Sequence, residues 1–524
     1  MKEKPDTSHA PLAGIVLCGL AMSVGWGFRG DYGHEAGAMV PGALLALAIC
    51  LASGRPDWWR RASIMAMCGA IGWAFGGQMS YGRITGYTAS SSLPDVAYGY
   101  ACLFVVGGLW AGIGSAILAL SVTQSRSYLE SYAGPLVVLW LVWLGLDLSG
   151  LTAWLVGKWY LHDTDWVAAS SALVVAAVYG AFFARGRPAC ALIAVLAGGW
   201  WLGYAVLTVL LGLRMTPPRS DNWAGCIGLF AALLLYLLRK QNRTALMLAL
   251  YGFVVGGIGF VLGDSVNMLG RAQAGPIGRY EALQGLDYWK WMEQLFGLIM
   301  GLGVGTAFLR YVRPKLAPPQ EETRGKLSTI ALLFLLLVMM WSNLFKNVRN
   351  WAKGGHIPEE LFGVGAGWWF LVMGVILSAA VIMPIIRYRR HGLALVPSTA
   401  FGRAQLLFLM ILWIVIIGAF TQAFPGMANK GVFFVHLTFW LTAGACSLIV
   451  LALSETGISP AELQLSRSDH FWQPSLKYWL SWLVAALLIV LLSYLTIASH
   501  DEPLPASHFR FDTPPQNQAQ QSAW

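Results

Sequence analysis

Charge is scarce in this chain: Asp, Glu, Lys and Arg make up 11% of its 524 residues, where a soluble protein carries about a quarter. That shortage excludes a hydrated globular enzyme as the whole of the molecule. Cysteine is sparse too. The seven present (Cys18, Cys50, Cys68, Cys102, Cys190, Cys226, Cys446) all fall in or beside apolar segments, and none forms a Cys-x-x-Cys pair. Neither a disulfide framework nor a zinc site is indicated. A Gly-x4-Gly-Lys-Ser/Thr loop is missing, so nothing in the chain reads as an ATP-driven motor. No cofactor motif stands out. The net charge of +10 does not indicate nucleic acid, because Lys and Arg sit in short clusters between apolar runs, where topology signals belong.

What the chain has is apolar length. Hydrophobic residues make up 57% of it, in windows of roughly 18 to 25 residues, each long enough to cross a ~30 Å hydrocarbon core as a helix. The fold class is therefore an all-α polytopic membrane protein whose main partner is the lipid bilayer. About fifteen spans meet the length criterion, centred from Gly19 to Leu488 and including Leu44, Ala70 and Leu335. No small-x-small site precedes Gly25, so the first apolar run reads as an uncleaved helix. With the N-terminus and the even-numbered loops together, 22 of the 35 Lys and Arg residues share one side. That side is expected to be cytoplasmic in a cell inner (plasma) membrane, with the C-terminus outside.

The second half of the chain restates the first. Arg61-Ala-Ser-Ile-Met is echoed by Arg243-Thr-Ala-Leu-Met, Gly82-Arg83 by Gly270-Arg271, and Gly112-Ile-Gly114 by Gly301-Leu-Gly303, in the same order. A tandem parallel repeat is expected, with six helices in residues 1–187 and six in 188–390. Three C-terminal transmembrane helices would follow in 391–499, then a disordered extracytoplasmic tail in 500–524, rich in Pro, Gln and Ser. Six plus six is the arithmetic of the major facilitator transporters. The loop Ser53-Gly-Arg-Pro-Asp-Trp-Trp-Arg-Arg61 does not carry their signature, so the likeness is one of architecture.

Chemistry concentrates in Gly25-Trp-Gly-Phe-Arg-Gly-Asp-Tyr-Gly-His-Glu35. Ionisable groups at a membrane boundary are costly to place and mark functional sites by default. In the fifteen-span topology Arg29, Asp31, His34 and Glu35 share a face with Arg83, Asp264, Asn267 and Arg271. That is a basin of both charge signs. Arg29, Arg83 and Arg271, each beside a glycine, suit a carboxylate or phosphate, because the guanidinium fork donates paired hydrogen bonds. With Asp264 and Asn267 they form the expected substrate-binding set; pairing of Arg29 with Asp31, or of Arg271 with Asp264 or Glu281, is the structural alternative. Asp31, His34, Glu35 and Asp147, the last within an apolar run, form the expected coupling set. His34-Glu35 lacks a second histidine four residues on, where Ala38 stands, so no metal is assigned. Glu293 lies at a span start among tryptophans that read as interfacial anchors.

These features indicate an ion-coupled secondary transporter of a small anionic or polar solute. A membrane-embedded transferase or hydrolase acting on a lipid-linked or glycan substrate at the outer face is the alternative use of the same residues. A membrane subunit that docks a partner protein is a third.

Overall fold

The structure, a computed structural model, describes residues 9–76, 79, 81–158, 165–217, 222–317, 326–341, 344, 351–352, 354–355, 357–393, 395–455 and 476–512. It is almost wholly helical. The first helices are α1 (His9–Arg29), α2 (His34–Ala52), α3 (Pro56–Trp59), α4 (Ala62–Ala74), α5 (Gly82–Thr88), α6 (Leu93–Thr123) and α7 (Arg126–Glu130). Then come α8 (Ala133–Leu148), α9 (Leu151–Lys158), α10 (Asp165–Phe182), α11 (Arg187–Gly203), α12 (Asn222–Arg239) and α13 (Arg243–Arg271). The rest are α14 (Pro276–Arg279), α15 (Tyr288–Thr306), α16 (Leu327–Leu333), α17 (Ala366–His391), α18 (Ala400–Ala423), α19 (Lys430–Ala452) and α20 (Leu476–Ile497). Two short strands, β1 (Glu360–Leu361) and β2 (Val364–Gly365), pair antiparallel ahead of α17.

Among the described residues, twelve helices are long and apolar enough to cross a membrane. The expected centres at Leu44, Ala70 and Leu335 fall in three shorter apolar helices, Ala36–Ala52, Ala62–Ala74 and Leu327–Met340. Several long helices turn large apolar side chains outward: Val375 is 64% exposed, Met383 68% and Leu487 60%. A surface of that kind is stable when its solvent is lipid. Side-chain caps satisfy amide groups where helices begin. Asn242 accepts from Ala245 N at 3.1 Å, Thr399 from Gly402 N at 3.0 Å and Asn429 from Gly431 N at 2.8 Å.

The chain folds into two compact units, interleaved in sequence. Unit 1 takes residues 1–77, 117–124 and 300–467; unit 2 takes 78–116, 125–299 and 468–524. This division differs from the contiguous repeats expected at 1–187 and 188–390. The helices those echoes pair are unequal in length, 13 residues in α4 against 29 in α13, and 31 in α6 against 19 in α15.

In unit 1, α2 packs against α1 and α4. The backbones of α2 and α4 touch at Gly42 and Gly69, where a Cβ on either residue would meet the other's carbonyl. Tyr32 donates its hydroxyl to Val415 O at 2.5 Å, and Phe28 meets Phe439 edge to face. Arg61 fixes the start of α4 by donating to Ser121 O at 2.7 Å and Gln124 O at 2.8 Å.

In unit 2, α13 is the central helix. It meets α6 at Gly107 and Gly256, again backbone to backbone, and meets α15 through Phe260 stacked on Phe296 at 4.5 Å. Phe253 stacks on Trp482 of α20. The segment after α20 then runs back over the unit. Leu504 N donates to Ala89 O and His508 N to Gly86 O, while the Arg510 and Phe511 amides both donate to Asp95 Oδ1. Composition suggested disorder from residue 500 onward. Residues 500–512 are instead held by these bonds, because the helix ends beneath supply acceptors for a proline-interrupted backbone; residues 513–524 lie outside the described residues.

Candidate functional site

A cavity of about 500 Å³ opens in unit 2 where α5, α13 and α15 end. Each wall follows from local sequence. α13 stops in a Schellman turn, with Gln273 N bonded to Gly270 O and Ala274 N to Leu269 O. Gln273 takes the left-handed position, φ +49°, that glycine usually fills. The turn leaves Asn267, Arg271 and Gln273 on the rim. Asp287 caps α15 by accepting from Lys290 N at 3.1 Å, which sets Tyr288 and Trp289 at the opposite wall. The Tyr288 ring lies directly on Gly270. Thr85 of α5 and Ala506 of the returning segment complete the lining.

Three residues of the expected binding set converge here. Arg271 donates Nη2 to Pro505 O. Asn267, fully buried, gives Nδ2 to Asp264 Oδ1 at 3.2 Å, and its own Oδ1 has no hydrogen-bond partner among the described residues. Asp264 lies one helical turn further in, also fully buried, and accepts from Thr88 Oγ1 at 2.6 Å. It is engaged by Thr88 and Asn267, neutral donors, rather than by a guanidinium.

The others lie elsewhere. Arg83 is exposed, outside the cavity lining, and donates to Pro217 O at 3.2 Å. Arg29 and Asp31 belong to unit 1. Arg29 ends α1, almost fully buried, with its guanidinium 5.3 Å from the Trp26 ring centre, and Gly37 packs on its carbonyl. His34 and Glu35 begin α2, and their side chains lie outside the described ones. Asp147 is exposed at the last turn of α8, where the chain breaks at Gly150 (φ +72°), and it accepts from Thr152 Oγ1 at 2.9 Å. The apolar run around it is thus two helices with a turn between them.

Sequence reasoning noted one further carboxylate but left it out of the site. Glu293 is 2% exposed and accepts from the Tyr81 hydroxyl at Oε1. Lys290 Nζ stands 3.6 Å from Oε2, which has no hydrogen-bond partner among the described residues. The Tyr81 ring stacks on Trp289 at 5.5 Å and meets Phe260 and Trp110 edge to face. A charged residue inside a run of tryptophans was the available signal, and it reads equally well as an interfacial anchor. Among the described residues, no group of three or more His, Cys, Asp or Glu converges as metal ligands do.

Chemically, the cavity offers a guanidinium, an unspent amide oxygen, an aromatic wall and, one layer below, two buried carboxylates. That suits reversible capture of a small molecule carrying an acidic group and a hydrogen-bond donor. No protein-family model matches the chain, and no curated protein or solved structure is significantly similar to it.

Proposed function

We propose that this multi-pass membrane protein is a secondary transporter that binds a small anionic or polar solute in the unit 2 cavity. The observation that carries the reading is the convergence of Arg271, Asn267 and Asp264 at the end of α13, around a cavity sized for a metabolite. Arg271 meets the acidic group of the solute. Asn267 Oδ1 accepts from its hydroxyl or ammonium, and Trp289 covers its apolar face. Arg83 braces the 214–217 loop beside the site. Among the described residues, Asp31 and Asp147 do not line this cavity.

The Lys and Arg distribution supports a cytoplasmic N-terminus in the plasma membrane and an extracytoplasmic cavity mouth. The two short helices α2 and α4 cancel in the crossing count, so this side is the same whether or not they span.

Alternating access is the testable content. Thr85→Cys, in a chain lacking the seven native cysteines, is probed with an impermeant maleimide from each membrane face in turn. Labelling from both faces, shifted between them by an imposed pH or sodium gradient, is expected. Labelling from one face under every gradient overturns transport and supports the embedded transferase or hydrolase, which needs a single entrance.

A further inference from the structure

We infer that Glu293 is a proton-binding site, coupled to the cavity through Tyr81 and Trp289. Its carboxylate is 2% exposed inside a membrane-spanning helix, and among the described residues only one of its two oxygens finds a hydrogen-bond donor. A permanently ionised carboxylate in such surroundings fills both oxygens with donors. Here Oε1 is held by the Tyr81 hydroxyl, while among the described residues Oε2 has only the Lys290 ammonium, at 3.6 Å, beyond hydrogen-bond length. Oε2 is therefore the atom that takes the proton. In the protonated state a neutral carboxyl still accepts at Oε1 from Tyr81, whose ring packs on Phe260, Trp110 and Trp289.

The link to the cavity is geometric. Trp289 and Glu293 are four residues apart on α15, one above the other on the same face. Trp289 lines the cavity and lies nearly parallel to the Tyr81 ring, at an interplanar angle of 16°. A solute pressing on Trp289 thus acts on the ring that carries Glu293's hydrogen-bond donor. From the elements packed against this position, the ionisable groups are Tyr81, ahead of α5, and Asp264 on α13, beside the Gly263 that packs on Met292 O. Lys290 lies on α15 itself, and α6 presents Trp110. Asp264 has donors on both oxygens, from Thr88 and Asn267. Uptake of one proton at Glu293 removes one negative charge from the membrane interior as an anionic solute enters the cavity. That makes it a natural partner for proton-coupled movement. The coupling role rests on the transporter reading; the protonation itself does not.

The test is a pH titration of the full chain in lipid nanodiscs, followed by infrared difference spectroscopy of protonated carboxyl groups, with the proton as the only ligand. A pH-dependent carboxyl band that is lost in Glu293→Gln and persists in Asp264→Asn is expected. Glu293→Asp keeps a carboxyl and should shift the band rather than abolish it, which guards against a misfolded Gln variant. Tyr81→Phe removes the hydrogen bond to Oε1 and should shift the Glu293 band, which ties it to this carboxyl and its partner. No Glu293-dependent band at any pH at which the chain stays folded, or a band lost in Asp264→Asn and kept in Glu293→Gln, overturns the site. Thr85→Cys labelling reports on transport independently, so either idea can fail while the other stands.

Discussion

Arg55 shows how much of an arginine's role is hidden until its partners are known. In sequence it is one of many basic residues that set orientation. In the structure it is fully buried in unit 1 and forks onto both oxygens of Asp57, at 3.0 and 2.7 Å. Its Nη1 also donates to Arg313 O at 2.9 Å and Leu316 O at 2.6 Å. Removing one partner of a buried pair leaves the other charge uncompensated, so Arg55→Ala should destabilise unit 1 by about 3–5 kcal/mol. Arg55→Lys should recover little of that, because an ammonium cannot make the planar fork. Thermal unfolding in detergent, followed by release of the folded oligomer-free peak on size exclusion, measures both; wild-type-like unfolding of Arg55→Ala would contradict the staple. Arg271, Asn267 and Asp264 were legible for the opposite reason. Polar groups spaced three or four apart at the end of an apolar helix share a face, and that spacing is visible in the sequence. Tyr81 and Glu293 were not, because their pairing joins residues 212 positions apart and neither flank carries a periodic signal.

Whole elements were easier to foresee than their ends. Long apolar runs give helices almost without exception in lipid, and the expected centres all fall in helices. The break at Gly150 and the Schellman turn at Gln273 depend on single residues adopting positive φ, which a hydrophobicity window averages away. The segment after α20 was harder still, since its order comes from acceptors on α5 and α6. His508 is the sensitive point in it. Its ring packs on Gly86 and Tyr87, and burial, with the nearby Arg83 charge, holds its pKa below the usual value of about 6.5. The docked segment therefore binds fewer protons than the released one. Docking is fully supported above about pH 6.5 and weakens as pH falls through the lower docked value. Hydrogen exchange of the Leu504, His508, Arg510 and Phe511 amides, corrected for intrinsic rates, should be slower at neutral pH than in mild acid. His508→Gln should flatten that dependence; an unchanged slope in this variant would remove His508 as its cause.

At the scale of the whole molecule, connectivity and contacts constrain the number of crossings. The 499–512 segment bonds to Gly86 and Ala89 after α5, to Arg214 and Met215, and to Arg271. All of these must share one membrane face. Six long helices separate residues 92 and 272, an even number, as that sharing requires. Among the described residues only five lie between residue 287 and residue 499, so one further crossing is needed there, and the short apolar helix Leu327–Met340 is the one these residues offer. Reporter fusions placed in the 272–287 loop and after residue 512 should therefore read the same side. Opposite sides would mean that Leu327–Met340 does not cross. The expected six-plus-six repeat is not evident in helix length, since the paired α4 and α13 have 13 and 29 residues.

Interleaving also orders events during synthesis. Helices α1, α2 and α4 leave the ribosome early, yet their partners α18 and α19 follow only after residues 125–299 have been made. Until residues 313–316 emerge, Arg55 has Asp57 but neither of the carbonyls it finally holds. The early helices therefore wait in the insertion machinery or at the headgroup layer with a half-satisfied guanidinium, and the unit that begins first is completed only after most of the other has been made.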